Sequence, residues 1–230
     1  MISIVFVLII GTSLIAGLKL FKGDMSDNFK TFVSVSVGFN SLLIGIPVFS
    51  AVFTDDFKSR SLQTAIGRGM SRTKLIFTRF FEVVIILIEA NVLLSIVVFV
   101  NGEVFGVKGT AITDVLNSMW VDSTTIVCYF AVAMIFVYWK QNGTLGLVLY
   151  ILMSLNAFNL ALVGINQIPF LKKNDIDLTE LVVEGMKESI LNADKSAEAR
   201  ILWAVAMVSI YIVLPLLITV RIFRRRELEF

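Results

Sequence analysis

No histidine occurs anywhere in the 230 residues. That excludes a histidine metal site, a histidine general base and every hydrolytic mechanism built on one. A single cysteine, Cys128, lies inside an apolar run. One thiol forms no internal disulfide, and in that setting it reads as a small apolar residue. Charge is scarce too, at 17% of residues, against 57% hydrophobic. A soluble domain of this length carries a larger polar shell. Also missing are a nucleophile elbow, a paired-carboxylate motif in a loop, an internal repeat and a low-complexity tract. The "GRGMSRTK" run lacks the glycine spacing and the Lys-Ser/Thr of a phosphate loop, and no strand precedes it. No enzymatic activity and no bound cofactor or metal are expected of this chain.

What is there is apolar length. Six segments are long and uncharged enough to be read as membrane spans: Ile2–Leu20, Thr31–Phe53, Leu75–Val100, Ser123–Trp139, Thr144–Ile165 and Ile201–Val220. A hydrocarbon core about 30 Å thick takes roughly 20 helical residues. The expected class is therefore an all-α membrane protein of six transmembrane helices in one domain. The first segment lacks the basic residues that open a signal peptide and reads as a signal anchor or ordinary span.

Orientation follows the cations. With both ends inside, the inner loops hold eleven Lys and Arg and the outer loops nine. The inner ones are clustered, above all in "DDFKSRSLQTAIGRGMSRTKLIFTRFF" (Asp55–Phe81) and "RIFRRRELEF" at the end. The segment 54–74 is thus placed in the cytoplasm, and 166–200 outside. Phe57, Leu62 and Ile66 share one face of a short amphipathic helix that Gly67 and Gly69 terminate, and Ser71 caps the next span. Two readings stand: cations that only fix topology, or a basic docking element for a partner. Amphipathic helices are also expected outside. Ala111–Trp120 places Ile112, Val115, Leu116 and Met119 on one face, and a helix from Asp177 to Leu191 sets Glu180, Glu184, Lys187 and Glu188 opposite its apolar side.

Within the spans, Ser13 with Gly17, Ser34 with Gly38 and Ser41 with Gly45 permit close helix approach. Pro47 and Pro215 each delete a backbone hydrogen bond and favour kinks. The polar candidates are Glu82, Glu89 and Asn91 in the third span and Asn156 with Asn159 in the fifth. A carboxylate deep in a bilayer costs a few kcal/mol unless paired or wetted. Glu82 has Arg79 nearby. Glu89 is read as an interhelical contact, a cavity lining or a contact with a second subunit.

The loop after the second span resembles the first cytoplasmic loop of the type-2 ABC exporter permeases. Asp55, Asp56, Phe57, Lys58 and Ser59 stand as the acidic and basic opening, Ser61-Leu62 where a Gly-Thr or Thr-Leu pair often occurs, and Ser71-Arg72 as the pair that begins the third span. Arg60 stands where Gly is common. Six spans, a longer outer segment before the last and the "FRRREL" end also fit. The resemblance implies a permease subunit in a bacterial plasma membrane, both termini cytoplasmic. It pairs with a second permease chain, and ATP and Mg belong to separate ABC ATPase subunits. Asp55, Asp56, Phe57, Lys58, Arg60, Leu62, Ile66, Ser71 and Arg72 then couple to that ATPase. The implied cargo is amphipathic or hydrophobic, such as a peptide, antimicrobial or toxin. Lipid is the remaining partner and nucleic acid is not one. A secondary transporter and a non-transporting structural subunit are the rival readings.

Overall fold

The computed structural model of the chain describes residues 29, 31, 33, 38–54, 61–168, 177–192 and 194–225. The first expected span lies outside them, as do Asp55, Asp56, Phe57, Lys58 and Arg60. Among the described residues every regular element is helical.

Asn40–Leu43 (α1) and Gly45–Phe49 (α2) are short, and a wide π turn, Ser50–Thr54, follows. Pro47 has no N–H to offer the carbonyl of Leu43, so α1 stops there and α2 restarts with proline in its first turn. Ser61–Gly67 is α3. Two long helices follow, Arg72–Val104 (α4) and Gly109–Lys140 (α5). Both pass the length and hydropathy needed to cross a membrane. Between Thr110 and Lys140 there is neither glycine nor proline. One helix therefore runs through both the expected surface helix 111–120 and the expected span 123–139, with Asp122 inside it.

The segment expected as the fifth span is two helices, not one. Gly143–Ser154 (α6) and Ala157–Ile165 (α7) meet at 59°. Asn156 carries the turn at φ +56°, a left-handed conformation that asparagine tolerates better than most residues. Beyond it, Asp177 does cap, accepting from Thr179 N at 2.9 Å, but it caps one 3₁₀ turn, Leu178–Leu181. Extended Val182 resets the chain before Val183–Leu191 (α8). The last long apolar helix is Ala197–Val208 (α9), a π turn at Ser209–Val213 and Leu214–Arg225 (α10), 29 residues in all and long enough to cross a membrane. Pro215 withholds the hydrogen bond that Tyr211 O would accept, and the helix widens there instead of ending.

Two compact units result, one drawn from Met1–Gly45 and Val84–Thr124, the other from Ile46–Val83 and Thr125–Phe230. In the first, Phe29, Val33, Leu94 and Val98 pack with Val107, Ala111, Ile112, Val115 and Met119. The apolar face foreseen over 111–120 is this packing face. In the second, the rings of Phe49, Phe53, Phe130 and Tyr150 pack together, stacked or tilted, with the centroids of contacting pairs 4.8–6.2 Å apart. Gly143 lets α6 approach that cluster, since a Cβ there would stand 2.6 Å from Thr54 Cα. The outward side of α4 is apolar as well: Ile85, Ile88, Val92, Ile96 and Phe99 are all exposed. An aqueous protein hides such a stripe, whereas lipid accepts it.

Candidate functional site

The foot of α4 is built from short-range capping. Gly69 turns the chain after α3 at φ +90°, and Ser71 Oγ accepts from Lys74 N at 3.3 Å. Arg72 then donates from Nη1 to the carbonyl of Phe223 at 3.0 Å and lies 5.6 Å from the Phe223 ring centroid. Arg224 Nε returns a bond to Thr73 Oγ1 at 2.9 Å. A carbonyl in the last described turn of α10 thus accepts from a cation of α4. Of the expected coupling residues, Leu62 and Ile66 are on α3, with Ile66 half-buried, and Ser71 and Arg72 are at this junction.

The expected polar residues of the spans separate. Glu82 pairs with Arg79 at 2.6 Å on a partly exposed surface. Glu89 is exposed. Asn91 is buried, its Nδ2 has no partner among the described residues, and its carbonyl accepts from Ser95 Oγ at 2.8 Å. Asn156 and Asn159 are brought together, on the wall of a cavity of about 470 Å³ in the second unit.

That cavity sits where three helical irregularities face one another: the α6–α7 break, the extended residue before α8 and the π turn before α10. Val132, Phe136, Leu149, Met153, Leu162 and Ile165 make it mostly apolar. Its polar groups are few, and most are hydrogen-bonded. Tyr129 donates to Glu184 Oε1 at 2.8 Å, and Lys187 pairs with the other oxygen at 3.0 Å. Tyr211, in the π turn, donates to Leu181 O at 2.9 Å. Asn159 Oδ1 is buried without a donor among the described residues. Sequence reasoning missed Tyr129, Glu184 and Tyr211. Continuous helical phase from Asp177 sends Glu184 to the solvent face, and only the reset at Val182 turns it inward. An isolated tyrosine in an apolar run carries no signal at all.

No family model, curated protein or solved structure matches this chain.

A second, polar chamber of about 290 Å³ adjoins the first, with Asn159 on the wall of both. Asp177, Glu180, Glu188 and Lys195 line it. The Asp177 carboxyl is held below its ordinary value by bonds from the side chain and backbone of Thr179, helped by Asn166 Nδ2. No cluster of three metal-ligating side chains occurs among the described residues. The arrangement suits non-covalent binding of a molecule with an apolar body.

Proposed function

We propose that this chain is the permease subunit of an ATP-driven ABC exporter that moves an amphipathic or hydrophobic cargo. A separate ATPase pair supplies ATP and Mg, and a second permease chain completes the path. The observation that carries the reading is the junction of α3, α4 and α10. A short helix stands just before a 33-residue apolar helix, and the first side chain of that helix, Arg72, is locked to the end of α10. A push on α3 reaches α4 through the Gly69 turn and α10 through Arg72. The far part of that last crossing carries Tyr211 into the cavity wall. Motion at the foot has a mechanical route to the chamber that would hold cargo.

The same contact supports the topology. It brings Arg72 of the loop cluster to Arg224 of the tail cluster, so both cationic groups sit at one end of their helices. Under the positive-inside rule that end is cytoplasmic. The apolar chamber supports an amphipathic or hydrophobic cargo such as a peptide, antimicrobial or toxin over a sugar polymer.

The test is co-purification from mildly solubilised membranes with a chain carrying a phosphate-loop motif. Phe57→Ala with Arg60→Glu weakens that association and lowers the associated ATP hydrolysis. If no such ATPase associates with the parent chain, a secondary transporter or a non-transporting structural subunit replaces this reading.

A further inference from the structure

The two adjoining chambers of the second unit hold polar groups that the export reading leaves unused. The apolar chamber, about 470 Å³, falls within the roughly 300–1,000 Å³ typical of small-molecule sites. The polar chamber presents three carboxylates, Asp177, Glu180 and Glu188, against one ammonium. That ammonium, Lys195, is already engaged, donating to Ser189 Oγ at 2.8 Å with its charge 5.1 Å from the Trp203 ring centroid. Glu180 and Glu188 are exposed residues on its wall. Where the chambers meet, Asn159 Oδ1 is a buried acceptor with no donor among the described residues. Carboxylates and an amide oxygen only accept, so the matching head group is one that only donates and carries positive charge.

We propose that the chambers together form a binding site for a single-chain amphiphile with a protonated amine. Its chain lies between α5, α6 and α7, and its ammonium bonds Asn159 Oδ1 among Asp177, Glu180 and Glu188. A carboxylate or phosphate head meets repulsion at the same place. One apolar chamber accommodates one chain. The Glu184 carboxylate, already bonded by Tyr129 and Lys187, stiffens the wall of the apolar chamber. The site deepens the cargo class of the export reading, yet binding rests on the chambers alone. A chain that binds the amine without any ATPase keeps the site and loses the export reading.

The experiment uses the full chain in lipid nanodiscs, with radiolabelled dodecylammonium as probe and empty nanodiscs as the blank. Saturable binding above the blank is expected, unaffected by excess dodecanoate. Glu180→Gln and Glu188→Gln, both at exposed positions where folding is not at stake, each weaken it about fivefold. Ala161→Trp fills the apolar chamber and abolishes it. Binding no greater than to empty discs, equal competition by dodecanoate, or unchanged affinity in the two Gln variants overturns the proposal. Should Ala161→Trp not fold, the charge variants and the dodecanoate competition decide alone.

Discussion

Replacing Arg72 by alanine removes one of the two side-chain links between the foot of α4 and the end of α10, the other being Arg224 to Thr73, and the size of the effect follows from its contacts. Its guanidinium donates to Phe223 O at 3.0 Å and reaches Arg224 O at 3.5 Å, a distance that adds little. A hydrogen bond to a charged group contributes about 1.5–3 kcal/mol. The ring of Phe223 at 5.6 Å adds about 0.5–1 kcal/mol, and the negative end of the α10 dipole about 0.3–1 kcal/mol. Arg72 is half-buried, so water screens part of each and the low ends apply. The net loss is about 2–3 kcal/mol, or roughly 5–10 °C in melting temperature for a chain of this size. Arg72→Lys keeps the charge but not the planar fork, so about half the loss returns. The assay is thermal unfolding of the purified protein in one detergent at fixed concentration. An unchanged melting temperature for Arg72→Ala, or a lysine variant worse than alanine, refutes the idea that this contact fastens the junction.

Gly143→Ala sets a Cβ 2.6 Å from Thr54 Cα and 3.0 Å from Phe53 O, backbone that cannot swing aside; a loss of about 1–3 kcal/mol is expected in the same assay. Asp177 has a folded pKa below its ordinary value of 3.8, so its stabilisation is complete above that value and disappears as pH falls through the lower folded one. Asp177→Asn therefore flattens the acid limb of a melting-temperature profile, and an identical limb in the variant contradicts the capping role. Glu89, exposed on α4, is expected to act on cargo or a second subunit instead of holding the fold. Glu89→Gln then lowers export of cationic amphiphiles while assembly and melting stay normal; a variant that loses folded protein instead points to packing.

The sequence shows the long helices because lipid exposure demands nothing subtler than uninterrupted apolar length, and α4 and the α9–α10 crossing follow from that. The Ser71 cap was equally readable, since a serine just ahead of a helix accepts from the N–H three residues on. What was hidden depends on phase and partners. Asp122 in the middle of α5 looks like a boundary, yet helix continuity is decided by the absence of glycine and proline around it. The α6–α7 break uses an asparagine in the left-handed region, which no neighbouring glycine or proline announces. The inward turn of Glu184 arises from the extended Val182, set by the close seating of Gly185 on the backbone of Thr179 and Glu180. Contacts between segments far apart in the chain, such as Arg72 with Phe223, leave no trace in local pattern.

The central claim is that α3 meets an ATPase and passes its motion on. Site-specific crosslinking tests it most directly. On a Cys128→Ser background, Ile66→Cys on α3 is compared with Glu103→Cys at the other end of α4 in native membranes, with and without ATP. The account predicts a crosslink from position 66, and not from 103, to a chain bearing a phosphate-loop motif, with a yield that changes when ATP is added. A crosslink from 103 alone, or none from 66 while the protein is folded and abundant, contradicts it.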